Sequence, residues 1–208
     1  MCDSHREEVA SLLTHAAGVL LSIAALVIMI VLAGGEPLKI VAAVVFGISL
    51  ILLYLSSTLY HCFTSPRWKA HFQALDHACI YLLIAGSYTP VTLVTLRGAS
   101  GWWLFGTVWS LALVGVLVKT LRKGKKDHWI STALYLAMGW LILFALKPLI
   151  REMPSPGVWL LVAGGLTYSF GIVFYAWNRL PFNHAIWHLF VLGGSVCHVL
   201  AVMLYVLP

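Results

Sequence analysis

The chain has 208 residues, 61% of them hydrophobic and only 10% charged, with nine tryptophans and a formal net charge of +6. A soluble globular domain carries roughly 25% charged residues, so this composition excludes one and indicates an integral membrane protein. The positive balance does not point to nucleic acid, because the basic residues sit in short connections between apolar runs, where they report topology.

Apolar runs of about 20 residues predict seven spans, at 9–33, 38–63, 72–96, 102–121, 129–149, 156–177 and 182–206. The expected fold is therefore an all-α, seven-transmembrane helix bundle forming one domain over residues 1–208. The first run follows the mixed-charge "CDSHREE" and is longer than the core of a signal peptide, so it reads as a retained helix. Breakers separate the runs: "GGEP" (34–37), "TSPRWKAH" (64–71), "RGASG" (97–101), "RKGKKDH" (122–128), "REMPSP" (151–156) and "NRLPFN" (178–183). Pro90 lies inside the third span and is expected to kink it.

Counting Lys and Arg by alternate sides gives an orientation. Arg6, Arg67, Lys69, Lys119, Arg122, Lys123, Lys125, Lys126 and Arg179 fall on the side of the N-terminus; Lys39, Arg97, Lys147 and Arg151 fall on the other. The excess places the N-terminus in the cytoplasm and, with seven spans, the C-terminus outside.

Six of the seven acidic residues lie at helix ends or in connectors, which leaves Asp76 as the one carboxylate within a span. An ionisable group there faces the bundle interior and is a functional candidate. His61 lies near the cytoplasmic end of the second span, Asp76 near that of the third, and His184 and His188 open the seventh. Helix parity puts all four roughly 3 to 10 Å inside one membrane face.

His184 and His188, four apart, share one side of their helix, and Ser57 lies one turn deeper than His61 on its own. Three neutral imidazoles with a fourth position open to water are the ligand set of a catalytic zinc site. Asp76 would then stand beside the ion, holding a water or taking its proton, and Ser57 would hydrogen-bond that water or a substrate oxygen. Taken singly, a histidine near a helix end is more often interfacial than ligating; three at one depth beside a buried carboxylate, costly to bury without partners, raise the case for ligation.

The segments "SSTLYHCF" (56–63), "DHACIYLLIAGSYTP" (76–90), "YLAMGW" (135–140) and "NHAIWHLFVLGGSVCHVLAV" (183–202) resemble the bacterial hemolysin III family, relatives of the progestin and adipoQ receptors. The resemblance covers essentially the whole chain. It implies a multi-pass protein of the bacterial inner (plasma) membrane, with a zinc site like that of the adiponectin receptors, which are similar to alkaline ceramidases. By motif, the Ser-x-x-x-His of the second helix falls on Ser57 and His61, the aspartate of the third on Asp76, and the His-x-x-x-His of the seventh on His184 and His188. The chain lacks the long cytosolic N-terminal region of the eukaryotic receptors, which counts against hormone reception.

The remaining polar residues have plainer readings. His15 is expected beside the site, in an interfacial or supporting role; His77 points about 100° away from Asp76 around its helix. His198, about 15 Å deeper than His188, reads as a buried hydrogen-bonded residue, and His5, His71 and His128 as solvated. Cys2, Cys62, Cys79 and Cys197 form no Cys-x-x-Cys pair. Trp102, Trp103, Trp129 and Trp159 read as interfacial anchors, and Gly193 and Gly194 as points of close helix packing. Three functions compete: a zinc-dependent hydrolase of a lipid amide or ester, a receptor-like regulator of membrane state with a structural zinc, and a pore-forming cytolysin or ion pathway. Membrane lipids are the expected partners, and one the substrate if the first holds.

Overall fold

The computed structural model describes residues 5–121 and 129–208. Among these, all regular structure is helical, and seven helical segments are long and apolar enough to cross a membrane. The helices are α1 (His5–Leu32), α2 (Pro37–Cys62), α3 (Pro66–Pro90), α4 (Ala99–Leu121), α5 (Trp129–Gly139), α6 (Leu146–Glu152), α7 (Ser155–Ala176) and α8 (Asn183–Tyr205). The connector at 122–128, with four of the nine basic residues on the expected cytoplasmic side and His128, lies outside the described residues, as does Cys2.

Helix α1 shows how the chain is adapted to lipid. Its buried positions, Ser11, His15, Gly18, Ser22, Ala25 and Met29, recur at helical spacing and are mostly small or polar. Leu13, Leu20, Val27 and Val31 point outward and are exposed. This reverses the pattern of a soluble helix, because lipid rewards an apolar outside, while close packing and internal hydrogen bonds hold the inside together. Gly18 admits the ring of Tyr54, which a Cβ would strike. Likewise Gly157, Gly164 and Gly171 form a stripe on α7 against Tyr205, His198 and Phe190 of α8. Of the two glycines expected to allow close packing, Gly194 lies against the Tyr168 ring, whereas a Cβ on Gly193 would make only an ordinary contact.

The third and fifth spans depart most from the expected reading. The third begins at Pro66, six residues early, so most of "TSPRWKAH" is helix and carries Arg67, Lys69 and His71 on its first turns. Pro66 stands at the helix start, where its missing N–H costs nothing and its fixed φ is already helical. Beyond Pro90, which keeps helical angles, the backbone winds into a wide π turn over Val91–Thr95, with Leu96 N bonded to Val91 O at 2.8 Å.

The fifth span, expected as one helix, is broken in its middle: α5 stops at Gly139, a 3₁₀ turn follows over Leu141–Ala145, and α6 completes the crossing. Lipid cannot hydrogen-bond the backbone groups such a break releases. Tyr88 of α3 does so instead. Its hydroxyl lies 3.0 Å from Met138 O and 2.7 Å from Gly139 O, and accepts from Ile142 N at 2.9 Å.

Around the bundle, α1 packs on α2 and α8, α2 on α3, α3 on α4 and α7 on α8, while α5 touches α3 and α7 far more lightly. That thin packing leaves a cavity of about 140 Å³ bounded chiefly by α3, α5, α7 and α8, with His15 of α1 and Leu53 of α2 completing its wall.

Candidate metal centre

His61 is the penultimate residue of α2, and His184 and His188 occupy the first two turns of α8. Because α1 packs on both helices, their ends meet beside its first turns. One donor atom from each of the three imidazoles lies within 4.8 Å of the others. Ring centroids are 5.0 Å apart for His61 and His184, 5.1 Å for His61 and His188, and 4.6 Å for His184 and His188.

The hydrogen bonds behind these rings decide which nitrogen faces the cluster. His188 Nδ1 lies 3.1 Å from the carbonyl of Ser11, which can only accept, so Nδ1 carries the proton and Nε2 the lone pair. The Thr14 hydroxyl is 3.2 Å from the same nitrogen and donates to the same carbonyl at 2.8 Å. On His61, Nδ1 lies 2.8 Å from Glu8 Oε2, which again puts the proton on Nδ1. The Nε2 atoms of His184 and His188 are buried with no hydrogen-bond partner. Orphaned buried nitrogens are costly, and converging lone pairs of neutral imidazoles suit a divalent cation. The three histidines therefore fit a metal ion.

Asp76 is buried, 3% exposed, on the wall of the cavity, and stands outside the set of converging donors. Its neighbour is Ser57, one turn deeper on α2 than His61; the hydroxyl approaches the carboxyl without meeting hydrogen-bond geometry. His15 is buried, lies against His188 and faces the cavity, outside the three-histidine set. His77 also lines the cavity, and its carbonyl accepts from the Tyr135 hydroxyl at 2.9 Å. His198 Nδ1 bonds Gly194 O at 2.9 Å, at the far end of the same cavity. His5, His71 and Cys62 are exposed, as are the four tryptophans expected as anchors.

Glu8 is the residue that sequence reasoning missed. Placed by its position among solvated end groups, it instead turns inward, with its side chain 20% exposed. The available signal was the polar stripe of α1, since Glu8, Ser11 and His15 share one face.

Beyond the cavity's first chamber a smaller one of about 60 Å³ continues toward the C-terminal face. The two share Ser87, Tyr88, Trp140, Gly165 and His198. Asp76, His15 and His77 thus line the N-terminal-face end of an elongated, mainly apolar space, and His61, His184 and His188 stand outside its lining.

Residues 4–199 match the family described as Haemolysin-III related. Hemolysin-3 of Bacillus cereus is 49% identical over 207 residues, covering 98% of this chain and 93% of that protein. The Hemolysin-3 homolog of Bacillus subtilis is 48% identical over 202 residues, covering 96% and 94%. The human Monocyte to macrophage differentiation factor is 30% identical over 175 residues, 79% of this chain and 70% of its own length. Likeness of this extent, on a chain with seven helical segments among its described residues long and apolar enough to cross a membrane, shows that it belongs to the haemolysin-III-related family of multi-pass membrane proteins.

Proposed function

We propose that the protein is a zinc-dependent hydrolase of the bacterial inner membrane that cleaves an amide or ester bond in a lipid, of the ceramide type, at the cytoplasmic end of its bundle. The observation that carries this reading is the placement of Asp76: a buried carboxylate on the wall of an elongated apolar cavity, one helix away from three converging imidazoles. Zinc held by His61, His184 and His188 would polarise a carbonyl and make water nucleophilic at neutral pH.

The chain's own residues supply the rest. The cavity takes an acyl chain and keeps bulk water from the bond. Asp76 accepts the proton of the attacking water and returns it to the departing amine or alcohol as the carbonyl–heteroatom bond breaks. Ser57, beside Asp76, donates its hydroxyl to a substrate oxygen. Zinc-loaded protein in nanodiscs, offered N-acyl sphingoid bases and glycerolipid esters, should release fatty acid detectable by mass spectrometry. Absence of turnover across that panel overturns the reading.

A second reading, a structural zinc in a regulator of membrane state, has one observation in its favour. Helix α2 is tied at two other depths, to α8 by Tyr54 Oη to Ser195 Oγ at 2.6 Å and to the residues just beyond α8 by Lys39 Nζ to Leu207 O at 2.7 Å. A metal joining His61 to His184 and His188 makes a third tie. A pore reading follows from the name hemolysin carried by the Bacillus relatives. Past His198, however, the space is walled by residues such as Leu146, Leu149, Val158 and Leu161, which offer an ion nothing to replace its hydration.

A further inference from the structure

We propose that Glu8 is a positioning residue of the metal centre, fixing the ring of His61 so that metal affinity is governed from α1, a helix that contributes no ligand. The inference rests on the three-histidine centre proposed above and adds a residue outside its ligand set.

Glu8 Oε2 accepts from His61 Nδ1 at 2.8 Å, and Lys69 Nζ, in the first turn of α3, donates to Oε1. The His61 side chain is 3% exposed and that of Glu8 20%, so the contact is largely shielded from water. A carboxylate behind a ligating imidazole does two things: it holds the tautomer whose Nε2 has the lone pair, and it makes that nitrogen a stronger donor. Lys69 engages the other oxygen, which keeps the carboxylate from swinging round to become a ligand itself. The same turn of α1 steadies the opposite side of the centre. Glu7 Oε1 accepts from the N–H of Phe182 at 2.9 Å, and Phe182, at φ 59°, is the left-handed residue that launches α8 toward His184 and His188. Ser11 O holds His188. Helix α1 thus grips both ligand-bearing helices.

The plainer account is a helix-end salt bridge between Glu8 and Lys69, which contributes little to anything. The experiment that separates the two uses the full-length protein in nanodiscs with Glu8→Ala, Glu8→Gln and, as a control on the opposite membrane face, Glu36→Gln. Zinc affinity is read by chelator competition, site geometry by the absorption spectrum of the cobalt-loaded protein, and fold by melting of the metal-free protein. Glu8→Ala should weaken zinc binding by about 10- to 100-fold and alter the cobalt bands, with metal-free melting unchanged. Glu8→Gln, whose amide oxygen still accepts from Nδ1 but without charge, should lose about 10-fold or less. Glu36→Gln should match wild type. Wild-type affinity and spectrum in Glu8→Ala overturn the inference. So does a loss of affinity that tracks a loss of metal-free stability with the cobalt spectrum intact. Failure of the wild type to bind any metal overturns the centre itself, and is thereby distinguished from failure of Glu8 alone.

Discussion

His15 lies flat against His188, with ring centroids 3.5 Å apart and planes within 7° of parallel. Its ring also makes a T-shaped contact with that of Tyr54 at 5.0 Å, and among the described residues neither of its ring nitrogens has a hydrogen-bond partner. A buried polar ring with no partner is ordinarily improved by an apolar ring of the same shape. His15→Phe should therefore keep the stack, retain zinc within a few-fold of wild type and melt no lower. If the nitrogens serve an occupant of the cavity that His15 lines, the same variant loses lipid turnover while keeping its metal. His15→Ala removes the support behind His188 and should destabilise the protein by about 2–3 kcal/mol. Zinc stoichiometry, melting and turnover on the same samples check all three.

The ligand set makes a sharper prediction. His61→Ala, His184→Ala and His188→Ala should each abolish stoichiometric zinc in the purified protein. Chelator should lower the melting temperature of wild type and leave those variants unmoved, because a ligand bound only to the folded state stabilises it by mass action. The sign of the pH effect follows from the donors: only neutral imidazole ligates, so acidification protonates the rings and releases metal, and zinc retention must fall as pH falls. Metal analysis after dialysis across a pH series reads this directly.

Asp76 separates a catalytic centre from a structural one. Asp76→Asn keeps the size of the side chain and removes the base, and Asp76 lies outside the converging donors. Under the hydrolase reading, zinc content stays at wild type while turnover falls by about 100-fold or more. Ser57→Ala should cost less, since its hydroxyl assists rather than transfers the proton. Under the structural reading, Asp76→Asn leaves cellular function untouched, whereas loss of any ligand histidine does not.

Orientation is open to a chemical test. Cys62 is exposed at the end of α2 on the face that carries the metal centre. In a Cys2→Ser background, a membrane-impermeant maleimide should label Cys62 in inside-out vesicles and not in intact cells. The reverse pattern puts the centre outside.

The spans and the common depth of His61, His184 and His188 were legible in the sequence because membrane thickness converts residue number into depth; that the three meet was an expectation drawn from their donor chemistry and the motif resemblance. Lateral neighbours were not legible, because depth says nothing about which helix stands beside which. Hence Glu8 read as an end group although its carboxylate reaches His61, and the stacking of His15 on His188 had no signature beyond the polar stripe of α1. The cavity was hidden for the same reason, since it arises where α5 packs thinly between α3 and α7. The break in the fifth span was hidden differently: hydropathy counts apolar side chains and is blind to a backbone that leaves the helix while its side chains stay apolar.

That break yields the last prediction. One phenolic hydroxyl, that of Tyr88, serves three backbone groups at the junction of α5 and the 3₁₀ turn: the carbonyls of Met138 and Gly139 and the N–H of Ile142. Tyr88→Phe keeps the ring and its packing but strands these groups where no water replaces the lost bonds. Each unsatisfied buried group costs about 1–3 kcal/mol, so the variant should lose about 2 kcal/mol or more, a larger effect than removing a single hydroxyl normally has. Because Tyr88, Gly139 and Trp140 also line the cavity, the relaxation should fall on its wall, raising KM for long-chain substrates more than for short ones. Hydrogen exchange would locate the loosening at 138–142, and wild-type protection there in Tyr88→Phe would show that the break is held by something other than this hydroxyl.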